Sequence, residues 1–200
     1  MKKTILIVAA ICLAAILCDA SAQVTASKMT VLKGDSGKNL SEMKLMLYSA
    51  VSDFGDNGVN VGEAVKFTAP KAGWKLKEIS VLGWSGYNET TKRLPQNMNF
   101  LVEVRDKSLN LLYKFADTQN AYFASTQGPV ASRIEIPALQ VTGDFYVVFY
   151  DRGAMGIAME QGNGTGSSYL LINDQLIPAE RKSKANETIK DNWLIRVAGE

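Results

Sequence analysis

Asp144-Phe145-Tyr146-Val147-Val148-Phe149-Tyr150 is the stretch that decides the fold. It is apolar at both odd and even positions, rich in β-branched and aromatic residues, and bounded by Gly143 and by Asp151-Arg152-Gly153. A seven-residue run of this kind is short for a buried helix and reads as a central strand covered on both faces. Its neighbours in the sequence carry the complementary pattern. Asn99 to Arg105 alternates, with Phe100, Val102 and Val104 inward and Glu103 and Arg105 outward. Asp106-Lys107-Ser108 then supplies a turn, and Leu109 to Phe115 returns as the hairpin partner.

Working outward, the same grammar recurs. Lys44–Ser49, Glu63–Thr68, Arg133–Ile136, Ser168–Ile172 and Trp193–Val197 are further short apolar runs closed by turn residues, Pro70 and Pro137 among them. Trp74 to Trp84 is longer. Trp74 and Leu76 share one parity and Ile79 and Val81 the other, which predicts a β-bulge near Lys77-Glu78. Helix signals are confined to Leu40–Met46 and Glu180–Lys190, and the second is polar enough to read as loop or a single helical turn. The expected fold is therefore all-β: an antiparallel β-sandwich, jelly-roll-like, of eight to ten strands.

The ends define the domain plan. Lys2 and Lys3 precede an uncharged apolar run from Ile5 to Cys18, and Ala20-Ser21-Ala22 fits a signal-peptidase site. Fourteen apolar residues suit a signal-peptide core better than a bilayer span. Residues 1–22 are expected to be a signal peptide, 23–41 a polar leader or linker with at most one strand near Met29–Leu32, and 42–200 a single sandwich domain. The product is then secreted or held at the cell surface, with no membrane span in the mature chain. Both cysteines of the chain, Cys12 and Cys18, fall in the leader, so no disulfide is expected in the domain. The sequons at Asn39, Asn88, Asn163 and Asn186 would mark exposed loops.

The formal net charge is +2, with no basic stripe, which points away from nucleic acid. The chain has no histidine, which removes Ser-His-Asp and Cys-His nucleophile systems and His-ligated zinc. Catalysis would have to use carboxylates about 5–10 Å apart, as in glycosidases. Glu63, Glu103, Glu135, Asp144, Asp151 and Glu160 are the candidates, and most fall at positions that read as a wet strand face. No catalytic residue is assigned. Asp53, Asp56, Asn57 and Asn60 concentrate hard oxygen ligands in eight residues, so calcium is the cofactor this segment would take, although Asp, Asn and Gly also make ordinary turns. Gly162-Asn163-Gly164-Thr165-Gly166 precedes a strand, not a helix, and reads as a hairpin loop. Trp84 and Tyr87, at a strand end beside a polar loop, form the best platform for stacking on a sugar ring. Trp193, within Trp-Leu-Ile-Arg, reads as core.

Three segments in order, Gly143–Tyr150, Gly162–Tyr169 and Asn192-Trp193-Leu194-Ile195-Arg196, together with the Phe100–Phe115 hairpin, resemble the jelly-roll accessory modules of large secreted bacterial and archaeal proteins. That resemblance implies a sandwich and a non-catalytic role. The expected function is a secreted module that binds carbohydrate. Its rivals are a cell-envelope structural or adhesive protein, whose partner would be another envelope protein, and a carboxylate-based hydrolase.

Overall fold

A computed structural model describes residues 29–86 and 88–200; the expected signal peptide with its cysteines, the first part of the leader, and Tyr87 lie outside the described residues. Two antiparallel sheets pack face to face. One is six-stranded, in the order β11 (Gln175–Pro178), β10 (Ser168–Ile172), β3 (Gly62–Thr68), β8 (Asp144–Tyr150), β5 (Asn99–Asp106) and β6 (Leu111–Thr118). The seven-stranded sheet is built around β4 (Lys75–Trp84). It pairs along one side with β7 (Val130–Gln140) and along the other with β15 (Ile195–Gly199) and the start of β9 (Gly156–Glu160). Beyond these, β1 (Thr30–Lys33) adds to β15, while β2 (Leu45–Tyr48) and β14 (Asn192–Trp193) flank β9. A small hairpin, β12 (Glu180–Lys182) with β13 (Thr188–Lys190), completes the set.

The decisive stretch behaves as its composition requires. Strand β8 lies between β3 and β5, and both of its faces are covered. Phe145, Val147 and Phe149 enter the inter-sheet core, while Val148 and Tyr150 join Ala64, Leu101 and Leu171 on the opposite face. Phe149 stacks on Phe100 at 5.4 Å between ring centroids. Phe123 stands edge-on to Phe100 at 5.5 Å and so fastens α2 (Asn120–Phe123) to the core. The bulge in β4 appears as a register shift between Leu76 and Glu78.

Several expectations are corrected. The one strand expected in the leader, β1, joins the seven-stranded sheet through β15, and the chain that follows it docks on the sandwich as well. Beyond β1, the Asp35 carboxylate is wholly buried and accepts from Nε and Nη2 of Arg196 at 2.7 and 3.1 Å. The Ser36 hydroxyl donates to Glu160 at 2.6 Å. A polar sequence can dock when its polar atoms are these specific partners. Strand β7 runs through Pro137, which a sheet-edge strand tolerates beside the β4 irregularity, where no ladder N–H is needed. Within Leu40–Met46 a 3-10 turn covers Leu40–Glu42 and the last two residues begin β2, and Glu180–Lys190 forms the β12–β13 hairpin. Strand β9 and α1 (Ala50–Phe54) carry no strong local signal; Gly153 and Gly156 flank the start of β9 and mask it. Short pairings at the edges raise the strands among the described residues to fifteen.

Replacing Asp35 by Ala should strand Arg196 and lower the unfolding free energy by about 3 kcal/mol, the low end for a buried pair because Arg196 keeps some contact with water. A urea denaturation midpoint at the wild-type value would show that the leader segment does not hold the sandwich closed.

Candidate functional site

Trp84 is the last residue of β4, half-buried, with its backbone beside Gly156 of β9. Its indole N–H donates to the Ser125 carbonyl at 2.8 Å, so one edge of the ring is pinned. Trp84 lines an open cleft of about 440 Å³ together with residues that include Ser49, Ser85, Gln96, Met98 and Met155. None of the described residues lining this cleft is charged.

One lip of the cleft is the return of the loop after β4, and two side chains at the start of α2 hold it. Gln119 has no exposure; its Oε1 accepts from the Met98 N–H at 2.7 Å and its Nε2 donates to the Gln96 carbonyl at 2.6 Å. Asn120 donates to the Pro95 carbonyl at 2.9 Å and accepts from the Ser85 hydroxyl at 3.1 Å. A buried amide satisfied on both ends fixes the backbone it touches. The other wall is the turn from β8 to β9, where Arg152 and Gly153 both have positive φ.

Asp151 anchors that wall. Its carboxylate is fully buried and accepts from the Gly153 N–H at 2.6 Å, the Ala50 N–H at 2.7 Å and the Ser49 hydroxyl at 3.2 Å. Its neighbour is Glu63, also without exposure. Neither oxygen of Glu63 has a hydrogen-bond partner among the described residues, and the Asp151 carboxylate is its charged neighbour. Burial is the main cause raising the Glu63 pKa well above its usual value, and the Asp151 charge raises it further. Burial also raises the pKa of Asp151, against the lowering effect of its backbone donors. Glu63 is therefore the more readily protonated acid of the two. Tyr48 lies beside the pair: burial raises its phenol above the usual range, and the charges of Asp53, Glu63 and Asp151 add to that.

These positions revise the reading of the acids. Glu63, Glu103, Asp151 and Glu160 are buried, so the wet-face expectation fails for them. The signal for Glu63 was legible: it shares the parity of Val65 and Phe67, which face the core. Glu103 is held by Arg105 at 2.8 Å and by the Tyr150 hydroxyl at 3.1 Å, and Glu160 by Ser36 and Asn192. Glu63 and Asp151 are sealed from solvent and cannot reach a glycosidic bond in this arrangement.

The expected calcium segment has a different shape from a calcium loop. Asp53 lies on α1, and Asp56, Asn57 and Asn60 lie on a 3-10 helix over Gly55–Asn60, all four exposed. At three residues per turn, Asn57 and Asn60 share a face and Asp56 points about a third of a turn away, so the oxygens diverge. Gly58 is required by close packing, because a Cβ there would lie 2.4 Å from the Ala50 carbonyl oxygen. Among the described residues, no group of three or more His, Cys, Asp or Glu side chains is arranged to hold a metal ion.

Gly162–Gly166 is not a hairpin loop but the crossing from β9 in one sheet to β10 in the other. Asn192 ties it down through Thr165 N–H at 2.8 Å and the Asn163 carbonyl at 2.9 Å. All four sequon asparagines are exposed, and Trp193 is core at 2% exposure. No helix among the described residues is long and apolar enough to cross a membrane. No family model and no curated protein matches the chain.

Glu63 gives a pH test with a definite sign. A carboxyl whose pKa is raised on folding favours the fold below its unfolded value near 4.3, and that contribution is lost as pH rises through the raised folded value. Glu63→Gln keeps a donor to Asp151 without the titration. Its thermal midpoint should exceed the wild type's at pH 8–9, with the difference shrinking toward pH 4. Parallel pH profiles for the two proteins would place the proton elsewhere.

Proposed function

We propose that this protein is an exported, non-catalytic β-sandwich that binds neutral carbohydrate in the Trp84 cleft. The observation that carries the reading is the lining itself: Trp84, its indole N–H pinned, beside residues with neutral hydroxyl and amide groups, none of the described lining residues being charged. An indole face matches the C–H face of a pyranose, and fixed hydroxyl and amide groups match its hydroxyls. A phosphorylated or carboxylated ligand would meet no cation there. The preorganised lip held by Gln119 and Asn120 supports it too, because weak stacking yields useful affinity only when little ordering is left for the ligand to impose.

A second reading, an envelope protein that contacts other proteins, draws support from one feature. Leu45, Met46 and Leu47 are exposed at 37–42% along an unpaired sheet edge.

The deciding experiment is a panel of neutral and charged polysaccharides, read by tryptophan fluorescence and pull-down, with calcium and with chelator. Neutral polysaccharides should bind. Trp84→Ala should weaken binding at least tenfold, about 1.4 kcal/mol, and Gln96→Ala should weaken it less. Calcium should make no difference, since the Asp53–Asn60 oxygens diverge. Retention of acidic polysaccharides alone, or a Trp84→Ala variant that binds as the wild type does, would overturn the reading.

A further inference from the structure

Strand β2 closes one edge of the seven-stranded sheet and pairs with β9 alone. The Gln161 N–H donates to the Lys44 carbonyl at 2.9 Å, and the register continues as Leu45 opposite Glu160. In an antiparallel ladder, alternate residues turn their backbone groups to opposite sides. Lys44, Met46 and Tyr48 therefore bond toward β9, and the N–H and C=O groups of Leu45 and Leu47 face outward, where no strand of the described residues pairs. Unpaired edges are normally blunted by charge, proline or a bulge. Leu45-Met46-Leu47 has none of these.

Across the sandwich, β11 is the matching edge of the six-stranded sheet, with Ile177 exposed at 46%. The gap between the two edges is a mouth of about 260 Å³. Tyr48 packs on Trp193 at its back, 4.9 Å between ring centroids, and Met46, Phe54 and Ile177 form apolar walls. Asp53 and Glu180 stand at the rim, both exposed. Among the described residues lining the mouth the one cation is Arg181, committed to Asp191 at 3.0 Å, while Lys190 stands opposite Glu180 in the β12–β13 ladder without forming an ion pair with it. The rim is left with negative charge above an apolar and aromatic interior. This is the complement of a long side chain with a methylene stem and a cationic end.

We propose that β2 accepts an extended segment of another protein by strand addition, and that a lysine or arginine side chain of that segment enters the mouth between Tyr48 and the Asp53–Glu180 rim. Backbone bonds to Leu45 and Leu47 supply register, and the acidic mouth supplies selectivity, the usual division of labour in strand addition. The site lies apart from the Trp84 cleft and stands whether or not that cleft binds sugar.

The test uses blocked heptapeptides, acetyl-Thr-Val-Thr-Lys-Thr-Val-Thr-amide and its versions with norleucine or glutamate in place of lysine, titrated calorimetrically into the full chain. The lysine peptide should bind, norleucine at least tenfold more weakly, and glutamate not measurably. The double variant Asp53→Asn/Glu180→Gln should lose the preference for lysine over norleucine. Leu47→Pro removes an outward N–H and spares the β2–β9 ladder, so it should abolish binding with the circular dichroism unchanged. Trp84→Ala should bind the lysine peptide normally. The proposal fails if the lysine peptide does not bind at millimolar concentration, if norleucine binds as well as lysine, or if the rim variant keeps the preference.

Discussion

The Asp151 carboxylate organises more of this molecule than any other polar group. It follows the central strand β8 and gathers the Gly153 and Ala50 N–H groups and the Ser49 hydroxyl at one buried point, beside the buried Glu63 carboxyl. That point joins three pieces of chain that have no ladder hydrogen bonds among them: the turn into β9, the start of α1 and the first residues of β3. A buried acid is costly unless its lone pairs are filled, and here donors from separate segments fill them. The result is a joint that the apolar core alone could not make, because core packing is non-directional. Both the wall of the Trp84 cleft and the segment that forms the mouth depend on it.

Much of the fold was legible because strand parity is a strong signal. Val65 with Phe67, and Phe100 with Val102 and Val104, announced their inward faces, and β8 announced coverage on both. The change of parity across Lys77-Glu78 located the bulge. What stayed hidden follows from the same logic. Residues 34–36 look like a solvated linker, since their docking rests on the Asp35 ion pair with Arg196, far along the chain, and such pairing leaves no periodic trace. Strand β9 is five residues long behind two glycines, and only its neighbours make it a strand.

The site was legible in part. Trp84 stood out as an aromatic at a strand end beside a polar loop, and the structure puts it in a cleft. Gln119 and Asn120, which hold that cleft's lip, gave no signal because amides are common in turns and their partners are backbone atoms 21 to 25 residues away. Glu63 was named among the candidate acids but its burial was missed: a carboxylate on an inward parity contradicts the expectation that charge stays wet, and that contradiction marks the joint. Local rules tend to fail where a structure carries a special load.

The segment from Tyr48 to Phe54 is the wall shared by the two concavities, and its geometry explains why they differ so sharply in chemistry. Ser49 looks into the neutral cleft, while Tyr48, Asp53 and Phe54 line the acidic mouth. The partition follows from α1, a single helical turn that begins at the Asp151 joint and carries Asp53 away from the cleft. The two buried acids, Glu63 and Asp151, sit behind this wall, and burial favours the neutral form of each. A wall of seven residues can keep a neutral surface and a charged one apart because its foot is fixed by directional bonds and its body packs on Trp193. The same residues on a mobile loop would blur the difference. The separation of the two chemistries is therefore a property of the buried joint as much as of the side chains that face solvent.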